Sequence, residues 1–366
     1  MKLQVILAAV IAAVCTTSAL AGPVVISSGT GKLSPRQPQA AVSSDGTIHI
    51  AYGSGDAIFY TRSGDGGATF TTPEHACDSP NLPLGMRRGP RIAASKDSVV
   101  ITAVGGALGK GKDGDVLAWT RSPDGKWSGP VRVNDVDASA REGLHAMASG
   151  PSGAVWCCWL DLRAKGTQIY GTRSTDAGKT WSPNFLVYHS PDGTVCQCCH
   201  PSIVIGADDR PHVLFRNALE GNRDMYVISG DTNGIFGEAR KLGNDSWQLN
   251  ACPMDGGMLA VDRSGRIATA WRRQEAIFAT VDDREQFLGT GRQPWLTFLG
   301  EKPLVLWVAK NEGQLLAWRG VGSKAEILFD IARDPVIVST PKGNKAFACW
   351  ESVTGEDRAI VGMTIE

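Results

Sequence analysis

Five arginines stand at one register of a repeated pattern. Arg36, Arg88, Arg141, Arg292 and Arg333 each lie two residues before a repeated proline, or before Gly143 in one copy, and Arg91 follows the second of those prolines. A guanidinium presents a planar fork of donors that fits a carboxylate, sulfate or phosphate in bidentate fashion. A ring of them would concentrate positive potential and hold an anionic ligand. The same arginines have acidic neighbours, among them Glu142, Asp334 and Asp255. Pairing with these would instead clamp adjacent repeats together, and both readings stand at this point.

The two repeats that lack the arginine carry soft ligands nearby. Cys196, Cys198, Cys199 and His200 open one, and Cys252 with Met254 opens the next. Thiolate, imidazole and thioether groups suit copper or zinc. In an oxidising compartment four cysteines at one junction make two disulfides, one of them joining Cys252 to a member of the cluster. The expectation is a disulfide staple and no cofactor, with a soft metal ion as the alternative. Cys158 and Cys349 each precede the aromatic that closes a strand and read as free thiols packed in the core; Cys77 and Cys157 take no assignment. His145 is placed to face the channel. Asp161 and Arg163, and Arg216, Arg272 and Arg273, follow strands and read as rim residues.

These groups converge only if the repeats are arranged radially. Each unit has a proline, replaced by Gly143 in the third, a short apolar stretch, a Gly or Asp turn, and alternating apolar residues that end at Tyr52, Val104, Trp159, Phe215, Trp271, Trp307 or Trp350. Alternation with period two predicts strands. A spacing of about 41 to 58 residues suits one four-stranded blade. The fold class is therefore all-β, a β-propeller of seven blades, with six as the alternative. The seventh unit runs out after its third strand near residues 359–363, and Val24-Val25-Ile26-Ser27 offers an orphan strand. Pairing the two would close the ring and remove two exposed edges. Innermost strands begin beside the channel, so the arginine register is expected to ring one mouth of it.

Two turns carry a further motif. Ser63, Asp65, Gly67 and Phe70 in one, and Ser174, Asp176, Gly178 and Trp181 in the other, fit SxDxGxT followed by an aromatic, and residues 122–127 are a shortened copy. The carboxylate can accept backbone N–H bonds across the turn and the glycine can take positive φ, which makes the motif structural. With the RxP openings, these Asp-boxes resemble the sialidase (neuraminidase) superfamily of BNR-repeat propellers. The resemblance implies a glycan or anionic ligand, and Arg36 matches the first of that family's three substrate-carboxylate arginines. It also implies an aspartate acid/base on an early loop and a late tyrosine nucleophile. Here the early loop is cut down to Gly53-Ser54-Gly55-Asp56, and the last tyrosine is Tyr226. The chain departs from the exo-sialidase pattern there and in its blade count. The expected function is binding of an anionic or glycan ligand at the arginine-lined mouth. Glycoside hydrolysis is one alternative, decided by the separation of a carboxyl pair. A soft-metal or scaffold role for the cysteine cluster is the other.

Residues 1–21 read as a secretory signal, with Lys2, an apolar core over residues 5–14 and Ala19-Leu20-Ala21 at the cleavage site. The mature chain is expected to be secreted or periplasmic, one domain over residues 22–366, with no later apolar run long enough to span a bilayer. Lys plus Arg balance Asp plus Glu at 37 each, so nothing suggests a nucleic-acid partner.

Overall fold

The computed structural model describes residues 22–366 apart from Lys96; the expected signal at residues 1–21 lies outside them. The alternating segments form antiparallel meanders. In the first, Arg36–Val42, Ile48–Ser54, Ala57–Ser63 and Glu74–Asp78 pair in order. Four more four-stranded sheets repeat that order, beginning at Arg91–Ala94, His145–Ser149, Ser202–Ile205 and Met258–Val261. The last sheet runs through Arg292–Leu299, Lys302–Val308, Gly313–Trp318, Glu326–Ser339, Ala346–Thr354 and Asp357–Ile365 to the N-terminal strand Val24–Thr30. Within it, Glu326–Ser339 pairs with Gly313–Trp318 through residues 326–332 and with Ala346–Thr354 through residues 333–339. The first strands of successive sheets lie side by side, and Arg36–Val42 also lies against Glu326–Ser339. This is a β-propeller. Among the described residues no helix is long and apolar enough to cross a membrane.

Burial follows the radial order. Ile48–Ser54, Val99–Gly105 and Val155–Asp161 are buried at every position, because each sheet has a neighbour on both faces; residues 155–160 are accordingly an unbroken apolar run. The outermost Trp127–Arg132 is largely exposed. Trp156, Trp159, Trp307 and Trp350 are among the largest fully buried side chains. One cluster joins Ala268, Ala270 and Ile277 of one sheet to Leu296, Phe298 and Trp307 of the next, so apolar contact between sheets carries the assembly.

The two Asp-box turns are closed by their own polar groups. Asp65 accepts from the Thr69 amide at 3.0 Å and from the Ser63 hydroxyl at 2.7 Å, and the Gly67 amide donates to Ser63 Oγ at 2.9 Å. Asp176, Thr180, Ser174 and Gly178 repeat the pattern at 2.9, 2.7 and 2.8 Å. The Thr69 hydroxyl and amide hold the Asp65 carboxyl well below the usual range. Gly67 has φ 94°, and a Cβ there would stand 2.5 Å from the Phe347 ring. Phe70 packs on that ring at 5.4 Å, and Trp181 packs against Ala93 and Val100. Each turn thus docks on the adjacent sheet.

Candidate functional site

The RxP openings do something the alternation does not foresee. Gln37, Gln293 and Asp334, the middle residues of three copies, take φ of 55°, 56° and 47°, and the strand register slips at each, between Arg36 and Gln39, Arg292 and Trp295, and Arg333 and Val336. A left-handed residue in a bulge costs about 1–2 kcal/mol for a side chain other than glycine. It also frees a backbone amide, and here a neighbouring sheet or strand catches each one. Gln293 N donates to Asp255 Oδ2 at 2.9 Å, Asp334 N to Gln293 Oε1 at 2.9 Å, and Gln37 N to Glu351 Oε1 at 2.7 Å. Gln293 Nε2 returns a bond to Asp334 Oδ1 at 2.6 Å, and Gln37 Nε2 donates to Asp334 Oδ2. Arg87 reaches in to the carbonyls of Gln293 and Pro335 and lies 3.7 Å from Asp334. A polar lattice therefore laces four sheets together at the channel entrance.

The predicted arginines lie around this lattice in separate places. Arg292 and Arg333 share one pocket of about 470 Å³ with Met254, Asp255, Arg272, Gln293 and Glu312. Arg88 and Arg141 line a second, of about 430 Å³, with Glu142. Arg36 stands half-buried with Nε unpartnered. Arg91 is buried and donates to the carbonyls of Gly89 and Pro90. Several arginines have protein partners: Arg292 meets Glu275 at 3.3 Å, Arg333 meets Glu312 at 3.1 Å, and Arg88 Nε donates to the Glu142 carbonyl at 2.8 Å. Asp56, the stand-in for the early-loop acid, accepts from the Leu82 amide at 3.1 Å and ties its turn to the segment after Glu74–Asp78.

Two of the residues expected at the rim are central instead. Arg216 and Arg272 are 2% and 4% exposed, and both guanidinium groups lie over the Trp247 ring at 5.3 Å. Arg272 Nε donates to Asp255 Oδ2 at 3.1 Å, and Arg216 donates to the Asp255 carbonyl. Sequence reasoning named Asp255 only as one acidic neighbour able to pair with the arginines; nothing beyond its place two residues after Pro253 marked it as the hub. Burial raises its carboxyl above the usual range, against the pull of Arg272 and the Gln293 amide. Its Oδ1 has no partner. Asp161 and Arg163 are likewise packed, Asp161 accepting from Trp159 Nε1 at 2.7 Å and from Arg163. His145 is buried with Nε2 3.1 Å from Thr102 Oγ1.

Glu351 gives the entrance a pH dependence. Burial, and then the neighbouring Asp334, push its carboxyl up to about 7, against the Gln37 amide and Arg333. The folded chain keeps a proton there that the unfolded chain loses near 4.5, so this group's stabilising contribution is full below that pH and is lost as pH rises through 7. The loss is at most roughly 3 kcal/mol. Denaturant titrations at pH 5 and pH 8 should show a fall in the wild type that shrinks in Glu351→Gln; equal falls in both would reject the assignment.

Three cysteines come together. The sulfurs of Cys196, Cys198 and Cys199 all lie within 4.8 Å of one another, with Cys196 3.4 Å from Cys199 and 3.7 Å from Cys198. His200 and Cys252 stand outside this group, Cys252 on the surface. All eight cysteines of the described residues are free thiols, so the expected staple through Cys252 is not formed: the Cys252 loop stays exposed while its neighbour Asp255 turns inward. Burial raises the Cys199 thiol, but bonds from Cys196 and Cys198, the Arg216 charge and the Asp255 amide outweigh it and hold Cys199 well below the ordinary range. His200 is buried, its Nε2 unpartnered, and burial with Arg87 and Arg91 nearby holds it well below the ordinary histidine range. Cys158 and Cys349 are buried as expected.

The opposite mouth holds a larger cavity of about 1360 Å³, lined by turns that include Ser44, Asp97, Pro151, Arg263 and Lys342. No buried titratable cluster faces it among the described residues.

No protein-family model matches the sequence, and no curated protein matches it. Solved structures do. The α-L-arabinanase of Penicillium chrysogenum, complexed with arabinobiose, aligns with a TM-score of 0.55 at 13% identity, covering 95% of this chain and 98% of that one. The α-L-arabinofuranosidase of Fusarium graminearum, complexed with an iminosugar inhibitor, aligns with a TM-score of 0.52 at 10% identity, covering 95% and 98%. The intramolecular trans-sialidase from Ruminococcus gnavus aligns at 0.48, with 10% identity over 92% and 96%. At such identities what the first two share with this chain is the fold, that of β-propeller glycosidases.

Proposed function

We propose that this chain binds an anionic sugar in the entrance pocket between Arg292 and Arg333. The carrying observation is that these two arginines, from neighbouring repeats, open into one pocket beside Asp255 and Arg272. Their glutamate partners, Glu275 and Glu312, are 70% and 44% exposed, while Arg333 Nε also lies 3.5 Å from the buried Asp334. The exposed glutamate pairs are weak, so a ligand carboxylate can replace them through two charge-assisted forks. Titration calorimetry with uronic- or sialic-acid oligosaccharides should give binding that weakens with salt. The R292A and R333A variants should each lose roughly 10- to 100-fold in affinity. Equal affinity for neutral sugars, or unchanged binding in both variants, would reject the reading.

A second reading, hydrolysis of a glycosidic bond, is favoured by Asp255. It has a carboxyl raised by burial, one oxygen without a partner, and Glu312 lining the same pocket. A raised carboxyl suits a proton donor to a leaving oxygen. Arabinanase and arabinofuranosidase neighbours of the same fold support a carbohydrate substrate.

This function also assumes an exported ring of seven blades. The export reading rests on the leader pattern of residues 1–21. The blade count takes the last sheet as two blades that share Glu326–Ser339, and closure by the N-terminal strand is supported by its pairing with Asp357–Ile365.

A further inference from the structure

We infer that Cys196, Cys198 and Cys199 form a three-thiolate site for a soft monovalent metal ion, copper(I), separate from the sugar pocket. The inference stands on sulfur geometry and does not rest on the sugar-binding reading. Three sulfurs mutually within 4.8 Å can move onto one ion by side-chain rotation alone. The pairwise alternative fits them less well. Consecutive Cα atoms are about 3.8 Å apart, short of the roughly 4.4–6.8 Å that a disulfide spans, which disfavours a Cys198–Cys199 bond. A Cys196–Cys199 bond would leave the third sulfur packed against it. Cys196 is nearly equidistant from both partners, at 3.4 and 3.7 Å, which is the arrangement of a shared centre.

The ion follows from the ligand set. Three soft sulfur donors suit copper(I), whereas structural zinc takes four ligands in a closed tetrahedron. Neither His200 nor Cys252 joins the group. The buried Arg216, whose carbonyl accepts from the Cys196 amide at 3.1 Å, brings a positive charge that offsets part of the negative charge of a filled site. Cys198, 9% exposed, gives the ion a way in. Binding exchanges ligands without redox change: copper(I) leaves its carrier, and the three thiol protons of Cys196, Cys198 and Cys199 pass to solvent.

The test uses the full mature chain, reduced and kept anaerobic, titrated with copper(I) against a chromogenic copper(I) chelator. The expected result is one equivalent bound, an ultraviolet sulfur-to-copper charge-transfer band, and three sulfur neighbours with no nitrogen by X-ray absorption. Loss of outer-shell partners alone weakens metal sites 10- to 100-fold, so C199S and C198S should each weaken binding by about 100-fold or more. C252S should leave it unchanged. Circular dichroism would confirm that the variants fold, and the absorption spectrum of the wild type carries the test if they do not. No uptake by reduced wild type, uptake unchanged in folded C199S, nitrogen in the copper shell, or zinc held in preference to copper(I) would each overturn the inference. So would a Cys196–Cys199 disulfide that persists when the exported protein is offered copper(I) with reductant.

Discussion

Replacing Asp255 by alanine is expected to cost roughly 3–5 kcal/mol of folding stability, the range for breaking a buried ion pair from one side. Arg272 is 4% exposed and its Nε meets Asp255 at 3.1 Å; the substitution leaves that charge buried, with the carbonyls of Gln274 and Pro253 and the exposed Glu275 at 3.6 Å as its remaining partners. The freed Gln293 amide, 2.9 Å from the lost oxygen, also belongs to a bulged left-handed residue that has no ladder partner to fall back on. Asp255→Asn is the informative companion. It keeps the shape and one acceptor, and should cost about 1–2 kcal/mol. If the pocket hydrolyses glycosides, the asparagine variant should bind its sugar within a few-fold of wild type and lose turnover by roughly 100-fold or more, the usual contribution of a general acid. Urea titration reads the first effect and release of an aryl glycoside the second. An alanine variant within 1 kcal/mol of wild type would mean that the carboxylate is not the hub described here.

The same residue marks the boundary of what the sequence could convey. Strands were legible because period-two alternation recurs in every unit and closes on an aromatic in all but the second, which ends at Val104: Tyr52, Trp159, Phe215 and Trp350 all lie in buried second strands. The Asp-box turns were legible because their chemistry is local, with donor and acceptor within four residues. The entrance was not, because it depends on a backbone event. At three of the four RxP openings the middle residue swings into the left-handed region, so Gln37, Gln293 and Asp334 form the central lattice, whereas alternation had pointed to the arginine beside them. Arg216 and Arg272 were misplaced for a related reason. Both directly follow the closing aromatic, where a strand end reads as rim, yet the loop carrying Asp255 folds over them. The spacing CxCC brings three thiols within reach of one another, while the expected tie to Cys252 needed a loop path that spacing does not encode.

Removing residues 22–30 should have an effect of similar or greater size, and by a different route. Val24–Thr30 pairs along Asp357–Ile365 from Val24 opposite Gly362 to Thr30 opposite Asp357, with one bulge. Ile26 sits in a cluster with Ile48, Tyr52, Val336, Phe347 and Ile360, and Tyr52 donates to Ser27 Oγ at 2.9 Å. Loss of one buried isoleucine costs about 2–5 kcal/mol when a cavity is left, and each lost ladder bond adds roughly 0.5–1.5 kcal/mol. The sum approaches the whole stability of a typical domain, about 5–15 kcal/mol. It would also leave Asp357–Ile365 as a bare edge with Ile360 uncovered, an invitation to pairing between chains. The truncated protein should therefore aggregate or melt more than about 10 °C lower, since 1 kcal/mol shifts Tm by about 2–4 °C in larger domains. A synthetic peptide of residues 22–33 should restore part of the loss by adding its strand to that edge. The peptide distinguishes a missing strand from general damage: rescue assigns the loss to the vacated edge. A truncated chain that melts with the wild type would show that the N-terminal strand is not needed to complete the ring, whatever its pairing.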